Sequence, residues 1–224
     1  MPHNRTVVPT HLLAGDELTA AMVAIGMNFA AAPGAEPNIE DTLVAASVQG
    51  MDRDDHRVLA VLVTWLRTHY PRVNADRLRR AVEALQSPRT RAFWSAVGHW
   101  LKKDRRIARL SGLHTGPRIG LLRTGNEFQV RRRGEDSRFS NSPLRVPAGV
   151  LRDRPGDVLT PRDLARRHAT YRCRVKLGPS YRADMWAQLE NDPTLSPADL
   201  ARRTYGSFAT AWQVKRDWQL LNAA

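Results

Sequence analysis

The sequence predicts a mainly α-helical protein with three parts: a helical bundle over residues 1–111, a small basic β-hairpin element over residues 112–156, and a repeated helix-turn-helix region over residues 157–224. Three observations support this prediction. Apolar residues recur at helical spacing through the first part. Short runs around a turn interrupt the middle part. The phrase LTPRDLARR at residues 159–167 returns as LSPADLARR at residues 195–203, which is 36 residues later.

The first part has the pattern of successive amphipathic helices, each opened by a polar capping residue. Pro33-Gly34 is expected to end the first helix, and Gly50 is a natural C-cap for the second. Trp94 and Trp100 lie at helical spacing with other apolar residues and are expected in the core. The predicted segments are residues 10–31 with Asp16 as cap, a helix opened by Asn38, one opened by Asp52, one opened by Asn74, and residues 89–110.

Several acids and histidines raise the question of catalysis. Asp52, Asp54 and Asp55 precede an apolar run, where acids usually cap a helix, and a nuclease built from the three is the alternative. A single Asp217 lacks the second carboxylate that a metal-dependent nucleotidyl transfer needs. The seven histidines show no metal-ligand spacing, and no phosphate-binding glycine loop or nucleophile motif occurs. We therefore expect no enzyme activity, no metal and no cofactor.

The middle part carries signals for extended structure. Two short runs flank the turn TGN at residues 124–126, which predicts a hairpin whose second strand carries Arg131, Arg132 and Arg133. The stretch SRFSNSPLRVPAGVL is expected to add a third strand or an extended crossing. A basic hairpin after a helical region is the order found in winged helices, and a plain connecting hairpin is an equal alternative.

The second copy of the repeated phrase lies inside a predicted three-helix unit. A first helix over residues 180–190 is followed by a second over residues 196–204, a turn at residues 205–207, and a third helix over residues 207–221. Ala201 and Gly206 supply the small residue and the glycine turn that such a unit needs. The inward positions of the third helix are expected to be Phe208, Ala211, Val214 or Lys215, Trp218 and Leu221.

The first copy continues differently. After Arg167 the chain alternates apolar residues with cations over residues 170–177, which is typical of a strand, whereas duplication of the second copy favours a helix. We favour the helix, and both alternatives remain open. In either case Arg172, Arg174 and Lys176 are expected to share one face.

Charge is distributed unevenly along the chain. Residues 1–75 contain five arginines and eight acids, whereas residues 76–224 contain 30 basic and 14 acidic residues. The net charge of the whole chain is +13. A basic part beside a slightly acidic part predicts a surface for nucleic acid joined to a scaffold or partner-contacting region, although surface arginines in a GC-rich genome are an alternative.

The expected contacts with DNA follow from position along the predicted third helix. Residues near the start of a recognition helix reach base edges, while flanking cations and hydroxyls hold phosphates. The expected base contacts are Ser207, Thr210, Gln213 and Arg216. The expected phosphate contacts are Arg182, Arg202, Arg203, Thr204, Lys215, Arg166, Arg167, Arg172, Arg174, Lys176, Arg131, Arg132 and Arg133, with residues 102–106 (KKDRR) as a further patch.

The C-terminal segment GPSYRADMWAQLE followed by SPADLARRTYGSFATAWQVKRDW resembles the helix-turn-helix modules of bacterial antitoxin-type regulators associated with nucleotidyltransferase toxins. The resemblance covers roughly the last 50 residues. It implies operator binding and autorepression beside a toxin gene. The matching positions are Gly178, Arg182, Ala183, Leu200, Ala201 and the turn at residues 205–207.

These observations together predict a sequence-specific protein that binds double-stranded DNA and controls transcription. The alternative is a non-catalytic adaptor or an RNA-binding subunit of a larger assembly. Residues 1–75 are the expected contact for a protein partner, and a homodimer is possible. Cys173 is the single cysteine, and neither a signal peptide nor a membrane-spanning stretch is evident, so we expect a cytoplasmic protein with no membrane contact.

Overall fold

A computed structural model describes residues 11–222. The described part is mainly helical, as predicted, with short 3-10 turns and two very short strands. The strands are β1 (Ile119–Gly120) and β2 (Leu144–Arg145). The helices are α1 (Gly15–Ala24), α2 (Ile39–Asp52), α3 (His56–His69), α4 (Ala75–Glu83), α5 (Pro88–Trp100), α6 (Arg105–Ala108), α7 (Asn126–Arg133), α8 (Pro161–Arg167), α9 (Ala169–Leu177), α10 (Tyr181–Asn191), α11 (Pro197–Thr204) and α12 (Phe208–Asn222).

Helices α2, α3 and α5 form the centre of the main core. Trp65 and Trp94 are fully buried there, and each indole N–H has a partner: the carbonyl of Ile25 at 2.8 Å and the hydroxyl of Ser47 at 2.9 Å. The same core includes apolar residues from α1 through to Tyr171 in α9. The middle part of the chain therefore packs into one core with the N-terminal helices.

Two of the four predicted capping residues, Asn38 and Asn74, start their helices. The other two predictions are wrong, because α1 begins at Gly15 without a side-chain cap, and Asp52 ends α2 while Asp55 opens α3. The side chain of Asn38 accepts from two backbone amides of α2, and Asp55 does the same for α3. Asn74 caps α4. These contacts satisfy amides that would otherwise lack a partner in the first turn, which explains why the helices begin where they do.

Three predicted helix ends are wrong. The helix predicted over residues 89–110 ends at Trp100, and α6 follows as a separate short helix. The first helix ends at Ala24, well before Pro33-Gly34, because the chain turns at Gly26, whose φ is +90°. Gly50 is not a C-cap but lies inside α2. A Cβ at position 50 would lie 2.8 Å from the Cβ of Leu59, so this glycine allows α2 and α3 to approach closely.

The predicted hairpin in the middle part is also wrong. Residues 126–133 form helix α7, and β1 pairs in parallel with β2 instead of with the arginine-rich run. Val130 is the apolar side chain that α7 buries. A strand at residues 126–133 would therefore have offered few apolar side chains to pack against the core. The helix places the three arginines in its last turn, where cations interact favourably with the helix dipole.

The two copies of the repeated phrase form the same short helix. Thr160 and Ser196 each accept a hydrogen bond from the backbone amide of an aspartate three residues later, at 3.2 and 3.1 Å. Leu164 and Leu200 are the buried residues that follow in α8 and α11. The continuations differ, because one residue separates α8 from α9 whereas three separate α11 from α12. The duplication is therefore a capped helix and not a whole three-helix unit.

Helix α9 is the form that residues 170–177 take, so of the two alternatives the helix is observed. In a helix, positions two apart point to different sides. Arg174 is accordingly buried while Arg172 is half-buried and Lys176 is exposed, which corrects the expectation that the three cations share a face.

Helices α10, α11 and α12 form a compact unit at the end of the described chain, which we call the C-terminal unit. Its small core lies between the three helices, and Trp186 packs against Trp218 with ring centroids 5.1 Å apart. Gly206 lies in the turn before α12, where a Cβ would meet the Cε of Met185 at 2.3 Å. None of the helices over residues 11–222 has the length and apolar character needed to cross a membrane.

Candidate nucleic-acid interface

Helix α12 packs one face on α10 and α11 and exposes the other. Ala211 and Val214 are buried in the packed face. Gln213 and Arg216, two of the four predicted base contacts, are exposed on the opposite face. An amide and a guanidinium on an open helix face are the groups that pair with base edges in a major groove.

Ser207 and Thr210, the other two predicted base contacts, are engaged within the protein. The Ser207 hydroxyl accepts from the backbone amide of Thr210 at 3.0 Å and lies 2.7 Å from its hydroxyl. Both residues are half-buried. Their hydroxyls therefore hold the start of α12 in place, and the open face is formed by other residues.

Two aromatic residues that the sequence analysis did not assign to contacts lie on the exposed face. Phe208 is 60% exposed and Trp212 is 51% exposed. The prediction that Phe208 and Leu221 point inward is wrong, because α10 and α11 cover only the middle of α12. The sequence did contain a signal for Trp212, because it precedes the predicted contact Arg216 by four residues and so shares its helix face. The Trp212 ring lies 5.8 Å from the Arg216 guanidinium.

Several predicted phosphate contacts already have partners on the surface. Arg182 pairs with Asp217 on α12, and Lys215 donates to the carbonyl of Pro193 at 2.5 Å in the exposed turn before α11. Exposed ion pairs contribute about 0–1 kcal/mol, so a phosphate could replace Asp217 as the partner of Arg182 at little cost. The other pairs are Arg172 with Glu190, Arg202 with Asp199, and Arg166 with Asp163 at 3.7 Å.

The remaining predicted cations form no ion pair with any acid in residues 11–222. Residues 1–10 lie outside the described chain and contain no Asp or Glu. These cations keep their full charge for an anionic partner. They are Arg203 and Arg216 in the C-terminal unit, Arg167 and Lys176 in α8 and α9, and Arg131, Arg132 and Arg133 in α7.

Two predicted phosphate contacts are contradicted by burial. The Thr204 hydroxyl donates to the Leu200 carbonyl at 2.7 Å, and the residue is 2% exposed. Arg174 is completely buried and donates to Glu40, to Asp184 and to the carbonyl of Arg72 at 2.6–3.0 Å. Neither side chain has a free group that a phosphate could reach.

Arg174 belongs to a buried cluster of four alternating charges, which we call the buried charge cluster: Glu40, Arg77, Arg174 and Asp184. Arg77 lies 3.1 Å from Glu40 and 2.7 Å from Asp184, and Arg174 bridges the same two acids. Burial by itself would raise the pKa of Glu40, but the two guanidinium groups outweigh it and lower that pKa. Buried charges persist only when they are paired in this way.

The buried charge cluster connects the C-terminal unit to the rest of the protein. Glu40 lies in α2, Arg77 in α4, Arg174 in α9 and Asp184 in α10. Arg77 also donates to the Thr204 carbonyl at 2.6 Å, at the end of α11. The cluster therefore fixes the turn that leads into α12 relative to the main core.

The turn has a second attachment through Tyr205. This residue adopts a left-handed conformation with φ of +56°, and its hydroxyl donates to Asp41 at 2.8 Å. Burial raises the pKa of Asp41 to about 6, with a smaller contribution from neighbouring Glu40. The ring of Tyr205 also lies 5.8 Å from the Arg77 guanidinium.

The start of α9 is held by Glu36. Its carboxylate accepts from the amides of Ala169 and Thr170 at 3.1 and 2.6 Å, and it lies 2.8 Å from the Nδ1 of His168. Burial alone would raise the pKa of Glu36, but these contacts lower it to about 2. The segment before α2 is thus fastened to α9, on which α10 packs.

The charge excess does not lie in the C-terminal unit. Residues 76–179 contain 25 basic and nine acidic residues, whereas residues 180–222 contain five of each. The excess of the basic part is therefore carried entirely by the main core and by α7 to α9.

The acids that could have formed a nuclease site have separate roles. Asp52 accepts from the hydroxyls of Ser87 and Thr90, and Asp54 pairs with Arg123 at 2.5 Å. Asp55 is the N-cap of α3. Within residues 11–222 no group of three or more His, Cys, Asp or Glu side chains is arranged to hold a metal ion.

Comparison of the chain with protein-family models, curated proteins and solved structures gave no match. The resemblance of the C-terminal segment to antitoxin-type regulators therefore remains a prediction.

Proposed function

We propose that this protein binds double-stranded DNA through the C-terminal unit and acts as a transcriptional regulator. The observation that carries the proposal is the placement of α11 and α12. A three-residue turn joins them, the buried charge cluster and Tyr205 fix that turn to the main core, and the outer face of α12 is open. A rigidly mounted open helix is what helix-turn-helix proteins insert into the major groove.

Base contacts in this proposal come from the exposed face of α12. Gln213 pairs with adenine and Arg216 with guanine, and each bidentate pair contributes about 1–3 kcal/mol of discrimination. Phe208 and Trp212 add apolar contacts of the kind that recognise the methyl group of thymine.

Phosphate contacts come mainly from outside the C-terminal unit, because that unit is electrically neutral. Arg167 and Lys176 lie in α8 and α9, and α9 packs against α10. Each phosphate that such a cation neutralises steepens the fall of log affinity with log salt by about 0.9 for duplex DNA.

The test is a mobility-shift titration of the full chain with a duplex selected from a random pool and with an unselected duplex. Gln213→Ala and Arg216→Ala should reduce the preference for the selected duplex. Gln219→Ala is the matched control, because Gln219 is exposed further along α12 and outside the predicted contacts. If selection enriches no sequence, or if both contact variants keep the full preference, the proposal is wrong.

The antitoxin-type role belongs to the same proposal and predicts binding to the promoter of the chain's own gene. Expression of a reporter gene under that promoter should fall when the wild-type chain is present and should recover when the Arg216→Ala variant replaces it. A reporter that is equally active with and without the protein would contradict this role.

A second candidate function, a protein adaptor, is favoured by the neutral C-terminal unit with its exposed Trp212. Trp and Arg are enriched among residues that dominate protein interfaces. An adaptor would bind random and selected duplexes alike and weakly. Loss of a protein partner on Trp212→Ala, with DNA affinity unchanged, would support this function instead.

A further inference from the structure

Helix α7 carries cations that the surrounding segment does not neutralise. Residues 118–145 contain seven arginines and three acids. Each of the three acids pairs with an arginine outside the last turn of α7: Glu127 with Arg145, Glu135 with Arg118, and Asp136 with Arg138. A fourth arginine, Arg123, pairs with Asp54.

Three arginines are left over, and all are in α7. Arg131, Arg132 and Arg133 are exposed, and none forms an ion pair with an acid in residues 11–222. Adjacent cations repel one another, and the helix dipole offsets only part of that repulsion. The last turn of α7 therefore carries positive charge that is not balanced within the described chain, and an anionic partner would reduce the repulsion between the arginines.

An aromatic side chain shares a face with two of these arginines. Phe128 precedes Arg131 by three residues and Arg132 by four, so the three side chains lie on one side of the helix. Phe128 is 60% exposed. Of the cation–π contacts formed within residues 11–222, none involves the Phe128 ring.

We propose that Phe128, Arg131 and Arg132 form a binding surface for single-stranded nucleic acid, separate from the exposed face of α12. The ring stacks on an unpaired base, and the two guanidinium groups hold the phosphates beside it. This surface lies on a different helix from the proposed duplex contacts and does not depend on them.

The aromatic residue is the reason for choosing a single strand over a duplex. Inside a duplex the flat faces of the bases are covered by their neighbours, whereas an unpaired base offers a face on which an aromatic ring stacks. Two arginines without an aromatic residue would serve phosphates of either form. The combination of one exposed ring with two unpaired cations therefore selects the single strand.

The surface is less suited to a membrane. The eight residues of α7 expose one large apolar side chain, Phe128, while Val130 is buried. Membrane-surface helices bury a broad apolar face in the lipid. A lipid surface is thus the alternative outcome of the test and not the proposal.

The experiment measures binding of the full chain to fluorescein-labelled oligothymidine of about a dozen nucleotides, a length within the usual site size. Fluorescence anisotropy is recorded over a series of salt concentrations. Phe128→Ala should lower the affinity about 5- to 150-fold, which is the range expected for one stacked base. Phe128→Trp should keep the affinity, because it retains a stacking ring.

The two arginines are tested by the salt dependence. Arg131→Gln with Arg132→Gln should reduce the slope of log affinity against log salt by about 1.4, since each phosphate contact on a single strand contributes about 0.7. The matched control is Arg80→Gln with Arg152→Gln, which removes two exposed arginines that lie outside the predicted contacts. This control should change the slope less.

Leu220→Ala is the control for loss of an exposed apolar side chain, because Leu220 is 70% exposed and lies on α12 outside the proposed contacts. It should leave the affinity for oligothymidine unchanged. Far-ultraviolet circular dichroism and thermal unfolding confirm that each variant is folded. Because α7 residues 128, 131 and 132 are outside the buried core, these substitutions should preserve the fold.

The proposal is overturned if Phe128→Ala and Leu220→Ala have equal effects on the affinity, or if the double arginine variant of α7 and the control with Arg80→Gln and Arg152→Gln change the slope equally. It is also overturned if the double arginine variant loses binding to phosphatidylserine vesicles while oligothymidine binding is unchanged. Duplex binding is measured in parallel. If Phe128→Ala loses oligothymidine binding but still binds the selected duplex in preference to the unselected one, two separate surfaces are supported. If the wild-type protein shows no preference between duplexes, only the function proposed for α12 is contradicted.

Discussion

Asp41 provides a quantitative test of the attachment between the C-terminal unit and the main core. Asp41 is 8% exposed, accepts from the Tyr205 hydroxyl through one oxygen, and has no hydrogen-bond partner for its buried Oδ1. Burial raises its pKa from 3.8 to about 6. We predict that Asp41→Asn, which keeps an oxygen for Tyr205 and removes the charge, stabilises the protein above neutral pH.

The sign and size follow from the raised pKa. A carboxyl whose pKa is higher in the folded protein contributes stability that is fully present below pH 3.8 and is lost as the pH rises through about 6. The penalty for the charged form is about 1.6 kcal/mol near pH 5 and reaches about 3 kcal/mol near pH 8. The advantage of the Asn variant should therefore grow by about 1.4 kcal/mol between those two pH values.

The assay is urea unfolding of both proteins at several pH values between about 5 and 8, and the difference in unfolding free energy is compared. Comparison of the two proteins matters because His69 acts in the opposite direction. Burial lowers the pKa of His69 from 6.5 to about 4, so its contribution is present above pH 6.5 and is lost as the pH falls towards 4. That contribution is common to both proteins and cancels.

Glu83→Gln is a suitable control, because Glu83 is exposed on α4 and pairs with Arg79 at the surface. Its effect should be small and should not follow the same pH profile. A difference between wild type and Asp41→Asn that stays constant from pH 5 to pH 8 would refute the reasoning, since it would mean that the buried carboxyl does not titrate in this range.

Three further predictions concern the same part of the protein. Arg77→Met should lower the free energy of unfolding in urea by about 3–5 kcal/mol, because the substitution leaves buried Glu40 with one cation fewer. A free energy of unfolding close to that of the wild type would show that the buried charge cluster does not need this charge. Gly206→Ala should cost about 1 kcal/mol, since the new Cβ would lie 2.3 Å from the terminal methyl of buried Met185, which has to move aside. An unchanged thermal midpoint would count against this packing. Cys173 is buried, and burial together with Glu190 raises its pKa to about 12. Iodoacetamide should therefore modify Cys173 only after unfolding. Rapid alkylation of the native protein, detected by mass spectrometry, would disprove this prediction.

Comparison of prediction and structure shows which signals in the sequence were reliable. The mainly helical class and the caps at Asn38 and Asn74 were predicted, because a cap depends on a side chain and the amides two or three residues after it. The helix α9 was one of two alternatives, and duplication of the capped phrase favoured it correctly. The α10–α11–α12 boundaries also followed from local signals.

Predictions that depended on distant partners were less successful. Arg174 looked like a surface cation, yet its partner Glu40 lies 134 residues away and makes it part of the core. The available sequence signal was that Glu40 and Asp184 each have apolar neighbours at helical spacing, and an acid buried in this way needs a cation as its partner. Phe208 looked like a core residue, yet no neighbouring helix reaches it.

By itself the sequence determined that this chain folds into short capped helices, that its positive charge is concentrated after residue 75, and that its last helix has both polar and aromatic residues to offer. These properties depend on neighbours a few positions apart and on simple counts. The tertiary structure alone decided which cations are available: it buried Arg174, paired Arg182 with Asp217, and left Arg131 and Arg132 beside an exposed Phe128. The reason is physical, because the availability of a charge depends on solvent and on opposite charges brought close by the fold, wherever they lie along the chain.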